Sequence, residues 1–154
     1  MNQTYYADSS VLVKRHISEV GTSWVLILMQ PSENNIVFTS LLSKVEVLSA
    51  FNRQRREASI SVFDYNQISA AFEGSSSEYR FIKLEQSIIF ESQRLLETYP
   101  LRAGDAIQLA SAVVVRTSLL NAGLQEPVFL ASDDKLLDAA IAEGFATDNP
   151  LLHP

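Results

Sequence analysis

Four carboxylates in this chain occupy positions where a carboxylate is either costly or placed at the end of a strand. Asp8 closes the β-forming run Tyr5-Tyr6-Ala7, and Asp133 follows the apolar run at 128–131 after a single residue, Ser132. Glu46 falls inside a periodic apolar segment, with Leu42 and Ala50 one turn away on either side. Asp105 follows Gly104 and shares its helix face with Leu101, Leu109 and Ala112. A carboxylate on an apolar helix face costs free energy unless it is paired, protonated or bound to a cation. If the four converge they repel and titrate as a coupled set. A divalent cation removes the repulsion, and an all-oxygen donor set selects a hard ion, Mg²⁺ or Mn²⁺. Such a centre suits phosphodiester hydrolysis by an activated water, with no side-chain nucleophile.

Each acid also has a plainer explanation. Asp8 and Asp133 stand where helix N-caps are wanted, and Asp is a favoured cap. Asp105 in a first turn is favoured by the helix dipole. Glu46 has neither role, and its plain alternatives are a solvated boundary position or an ion pair with Lys44 or Arg53. The four together point to a site more strongly than any one of them does.

The elements that must position these acids follow from the hydrophobic pattern. Short β-forming runs at 4–6, 36–39, 81–84, 128–131 and 145–147 alternate with helical periodicity. Helices are expected from about Val11, over 23–30, 41–57, 62–72, 87–98, 104–120 and 134–143, with a loop at 74–77. Strands alternating with helices predict an α/β fold, a three-layer α/β/α sandwich around a mostly parallel sheet of four to five strands. Open parallel sheets gather functional groups at the carboxyl ends of their strands, where Asp8 and Asp133 fall. At 154 residues the chain is expected to form one domain over 1–154.

Composition narrows the chemistry. There is no cysteine, which excludes disulfides, thiolate-ligated metals and thiol catalysis. The two histidines, His16 and His153, cannot build a histidine-rich metal site. Lys and Arg total 12 against 18 Asp and Glu, a net charge of −6, which argues against nucleic-acid binding by a broad basic surface. No apolar stretch approaches the length of a membrane span, and the first residues lack a signal-peptide pattern, so the chain is expected in the cytoplasm.

Taken in order, these segments resemble those of PIN-domain nucleases, specifically VapC-like toxin ribonucleases. The resemblance rests on Tyr-Tyr-Ala-Asp-Ser-Ser-Val-Leu-Val-Lys at 5–14, Ser-Lys-Val-Glu-Val at 43–47, Leu-Arg-Ala-Gly-Asp-Ala-Ile-Gln-Leu-Ala at 101–110, and Leu-Ala-Ser-Asp-Asp-Lys-Leu at 130–136. The tail from Ala140 to Phe145 and on through Asn149-Pro150 also fits. The resemblance implies a PIN-like fold and an acidic quartet at Asp8, Glu46, Asp105 and Asp133 that binds Mg²⁺ or Mn²⁺. It also implies RNA cleavage, a homodimer, and a small antitoxin protein as partner. Ser10 matches a hydroxyl residue that would bond an acid or a water. In the fourth motif the family's spacing of acid, two residues and leucine implies Asp133, through Leu136, and leaves Asp134 in a first helical turn.

RNA phosphates need cations beside an acidic site. Lys14 and Arg15 follow the first acid closely, and Arg102 lies three residues before Asp105; a solvated helix face is the alternative. Trp24, Tyr5, Tyr6 and Phe51 could stack a base or pack a core. His16 is expected at the surface or an interface rather than as a general base. An aspartyl phosphatase is disfavoured because Asp8 lacks an acid two residues on, and a receiver domain because no lysine follows the last strand. A catalytically silent PIN-like binding module and a housekeeping RNA-processing nuclease are the competing functions.

Overall fold

The computed structural model describes residues 2–154. The order is β1 (Thr4–Ala7), α1 (Ser9–Lys14), α2 (Thr22–Leu28), β2 (Ile36–Ser40), α3 (Ser43–Arg56), α4 (Val62–Gly74), β3 (Tyr79–Ile82), α5 (Gln86–Thr98), α6 (Ala103–Asn121), β4 (Val128–Leu130), α7 (Asp134–Ala142) and β5 (Thr147–Asp148). Single 3₁₀ turns occur at Pro31–Glu33, Ser76–Glu78 and Pro150–Leu152. The five strands form one sheet in the order β3-β2-β1-β4-β5, and every pairing is parallel.

Strand periodicity divides the core into two halves. Tyr6 and its register partner Phe129 point to one face, where they stack 5.6 Å apart among Leu95, Leu109 and Leu136 of α5, α6 and α7. Ala7, Val37 and Leu130 point to the other, against Val11, Leu12, Val47 and Phe51 of α1 and α3. Both faces are covered, which is why the strands lack a polar side. Among the described residues no helix is long and apolar enough to cross a membrane.

Several boundaries differ from expectation for local reasons. Helix α1 starts at Ser9 because Asp8 itself is the N-cap. Strand β3 begins at Tyr79, since Tyr79 and Arg80 pair with Val37 and Phe38 on a sheet edge that leaves Arg80 exposed. Charge on an edge strand is ordinary, but it hides the strand from a hydrophobic reading. The last strand is Thr147–Asp148 rather than 145–147, because Phe145, after Gly144 at φ 91°, turns inward and is 5% exposed.

The chain runs β1 to β2 to β3 toward one edge, then returns to place β4 on the other side of β1. The crevice at the carboxyl ends of β1 and β4 is therefore the topological switch point, the favoured ligand site of such sheets.

Candidate metal and nucleic-acid site

Asp8 and Ser132 are joined across the switch point. The Asp8 amide donates to the Leu130 carbonyl at 2.9 Å, continuing the β1–β4 pairing. The Ser10 hydroxyl donates to Asp8 Oδ2 at 2.8 Å and accepts from the Ser132 amide at 3.3 Å. Asp8 also caps α1 and is 5% exposed. Burial pushes its carboxyl up to about 6; the Ser10 hydroxyl opposes that, and the charge of Glu46 adds to it.

Glu46 and Asp105 lie in the first turns of α3 and α6; α3 starts at Ser43, not Leu41, so the helix-dipole explanation given for Asp105 applies to Glu46 as well. Glu46 accepts a 2.7 Å hydrogen bond from Gln108 Nε2, and its pKa is raised by burial, with Gln108 opposing and Asp105 adding. Neither ion pair that was the plain alternative for Glu46 forms: Lys44 sits over the Phe81 ring and Arg53 is exposed. Asp105 is pushed up to about 6 by burial and then by Asp8 and Asp133, while Arg102 pulls it down. Asp133 is exposed and caps α7, its Oδ1 accepting from the Leu136 amide at 2.9 Å. Asp134 is the exposed first residue of α7.

The cap explanations of Asp8 and Asp133 therefore hold as geometry, and Asp8 also feels the charge of Glu46. Charge links Asp8 to Glu46, Glu46 to Asp105, and Asp105 to Asp8 and Asp133. Among the described residues no three Asp, Glu or His side chains are gathered tightly enough to hold an ion as they stand. The donor set nevertheless fits a hard divalent cation in its chemistry: it is all oxygen, and two of its members are pushed toward neutrality where a cation would restore their charge.

Two grooves meet at Ser132. One, of about 530 Å³, runs past Ser9, Ser10, Lys14, Glu46 and Arg53. The other passes Arg102, Asp105, Asp133 and Lys135. Arg102 and Arg53 are exposed, whereas Lys14 is 4% exposed and bonds Glu19 at 2.9 Å. Arg15 turns elsewhere, to Glu78 at 2.6 Å and the Tyr79 hydroxyl at 2.9 Å. Of the proposed base-stacking residues, Tyr6 and Phe51 are fully buried, and Trp24 stacks on His153 at 4.3 Å. His16 packs edge-on against Phe51 and Phe72; burial and then Arg15 lower its pKa to about 4.

No family model matches the chain, and no curated protein does. Solved structures match along nearly all of it. A chain of a toxin–antitoxin complex from Klebsiella pneumoniae is 18% identical with a TM-score of 0.62, over 95% of this chain and 97% of that one. VapBC2 from Rickettsia felis, bound to a DNA fragment from their promoter, is 11% identical with a TM-score of 0.62, over 96% of this chain and 98% of the matched chain. PAE2754 from Pyrobaculum aerophilum is 19% identical with a TM-score of 0.62, over 96% and 92%. The fold is PIN-like. At these identities the likeness establishes the PIN-like architecture and leaves the chemistry to the residues.

Three site residues escape a reading of acids and cations. Gln108 holds Glu46, Gly104 lies against it, and Ser132 has a buried hydroxyl oxygen without a hydrogen-bond partner where the grooves of the PIN-like sheet meet. Spacing puts Gln108 on the helix face of Asp105, three residues on, but its bond to Glu46 joins positions 62 residues apart.

Proposed function

We propose that this chain is a metal-dependent endoribonuclease and the toxin of a toxin–antitoxin pair. One observation carries the reading: carboxylates from four separate segments are linked by charge at the switch point of a parallel sheet, with exposed arginines on the grooves either side. Asp8, Glu46, Asp105 and Asp133 would hold Mg²⁺ or Mn²⁺. When bound, the ion would supply Lewis acidity toward the scissile phosphodiester and toward an attacking water. Ser10 orients Asp8, Gln108 orients Glu46, and Arg53, Arg102 and Lys135 give phosphates a seat against an otherwise acidic rim. One similar structure is a toxin–antitoxin complex by name and a second is VapBC2 bound to promoter DNA, which supports an antitoxin partner; a homodimer and a cytoplasmic location belong to the same proposal.

The test is cleavage of single-stranded RNA with Mg²⁺, Mn²⁺ or EDTA, alongside Asp8→Asn and Asp105→Asn. The expected result is cleavage with either ion, lost in EDTA and in both variants. Cleavage that persists in EDTA overturns the metal mechanism. A silent binding module is the second reading, favoured by the spacing of the acids among the described residues. Its signature is RNA or protein binding with neither cleavage nor heat of Mn²⁺ binding.

A further inference from the structure

A chain of buried polar groups runs from β1 to the acid site. The Tyr6 hydroxyl donates to Gln108 Oε1 at 2.8 Å. Gln108 Nε2 then donates both to Ser43 Oγ at 2.9 Å and to Glu46 Oε1 at 2.7 Å. Ser43 Oγ in turn bonds Thr39 Oγ1 of β2 at 2.6 Å. Tyr6, Thr39, Ser43 and Gln108 are all 0% exposed, while Tyr6 and its neighbours Leu109 and Phe129 belong to the apolar core. A buried primary amide is costly unless its groups are bonded, and here both N–H groups and the oxygen are.

The order of donors is forced. An ionised Glu46 only accepts, so the amide nitrogen must face it, and the amide oxygen then faces Tyr6, which must donate. The tyrosine hydroxyl thus sets the amide's orientation, and the amide sets that of the carboxylate. We propose that Tyr6 and Gln108 are positioning residues that fix the orientation of the Glu46 carboxylate at the acid site, an inference that rests on the proposed nuclease function. The alternative is a polar network that only stabilises the core, and the two differ in what they move. Positioning groups behind a metal ligand alter metal affinity, whereas core stabilisers alter melting.

The experiment compares wild type, Gln108→Met and Tyr6→Phe for Mn²⁺ affinity by calorimetry, for kcat and KM on single-stranded RNA, and for fold by circular dichroism well below the melting transition. Gln108→Met is expected to weaken Mn²⁺ binding and lower kcat by about 10- to 100-fold with KM for RNA unchanged. Tyr6→Phe, which keeps the Glu46 contact but frees the amide to rotate, is expected to fall between. A folded Gln108→Met with wild-type Mn²⁺ affinity overturns the proposal, and if that variant does not fold, Tyr6→Phe is judged by the same criterion. Wild-type protein that binds no Mn²⁺ overturns the proposed function and this inference together; wild-type binding with indifferent variants overturns this inference alone.

Discussion

Gly104 leaves the space that Glu46 occupies: a Cβ at Gly104 would lie 3.0 Å from Glu46 Oε2. The glycine is the second residue of α6, where alanine ordinarily stabilises a helix by about 0.5–1 kcal/mol. The other Glu46 oxygen is held by Gln108 at 2.7 Å, so shifting the carboxylate aside by a few tenths of an ångström strains that bond. Gly104→Ala should therefore keep or slightly raise the melting temperature while RNA cleavage falls about tenfold or more. Full activity in this variant would show that Glu46 moves without consequence.

The raised acids make metal-free stability depend on pH in a definite direction. Asp8 and Asp105 are each pushed from 3.8 to about 6, so between those values the folded chain binds more protons than the unfolded one. Stability from these groups is greatest below 3.8 and is lost as pH rises through 6. For the buried Asp8, the rise from 3.8 to about 6 corresponds to roughly 3 kcal/mol. Asp8→Asn removes that cost while keeping an oxygen for the Ser10 hydroxyl. Its melting temperature in EDTA should exceed that of wild type at pH 7 by more than at pH 4. A constant difference across the range would separate Asp8 from this titration.

Mn²⁺ should reverse the same penalty. Binding to the folded state alone stabilises by about 2.7 kcal/mol at one hundred times Kd. The melting temperature of wild type at pH 7 is expected to climb with Mn²⁺, while Asp105→Asn and Asp8→Asn respond weakly. Equal shifts in all three would locate the ion elsewhere.

The acids stand out in the sequence because they break local patterns. Asp8 ends a β-forming run, and Glu46 and Asp105 interrupt apolar helix faces. The alternation of strands and helices gave the layers for the same reason. What stayed hidden depends on partners distant in sequence. Lys14 and Arg15 look alike as neighbours, yet one is buried against Glu19 and the other crosses to Glu78 and Tyr79, 63 and 64 residues away. Gln108 looks like one polar residue on a helix until Tyr6 and Glu46 meet on either side of it. Strand β3 starts two residues before its apolar run because an edge position tolerates the charge of Arg80.

The arginines divide accordingly. Arg53 and Arg102 line the grooves and are exposed, whereas Arg15 is tied down. Arg102→Ala and Arg53→Ala should each weaken RNA binding and reduce the slope of log affinity against log salt by about 0.7–1. Arg15→Ala should leave that slope unchanged and lower the melting temperature, because Glu78 and the Tyr79 hydroxyl lose their partner. Salt titrations of RNA binding check both halves; a reduced slope for Arg15→Ala would put it back at the interface.

Gly21 sets how the C-terminal turn closes on α2. It stands at φ 89°, and a Cβ there would lie 2.4 Å from the Pro150 carbonyl oxygen, a backbone atom that cannot swing aside. The turn it meets is held by the stack of His153 on Trp24 and by the 2.8 Å contact of His153 with Asp148 in β5. Left-handed backbone costs a residue with a Cβ about 1–2 kcal/mol, and overpacking adds about 1–3 kcal/mol. Gly21→Ala should thus destabilise by at least about 2 kcal/mol in urea unfolding. The acids stand on other segments, so the kcat of the folded fraction should be unchanged. A variant as stable as wild type would mean that the turn at Pro150 is free to lift, and an active-site defect would mean that β5 communicates with the switch point.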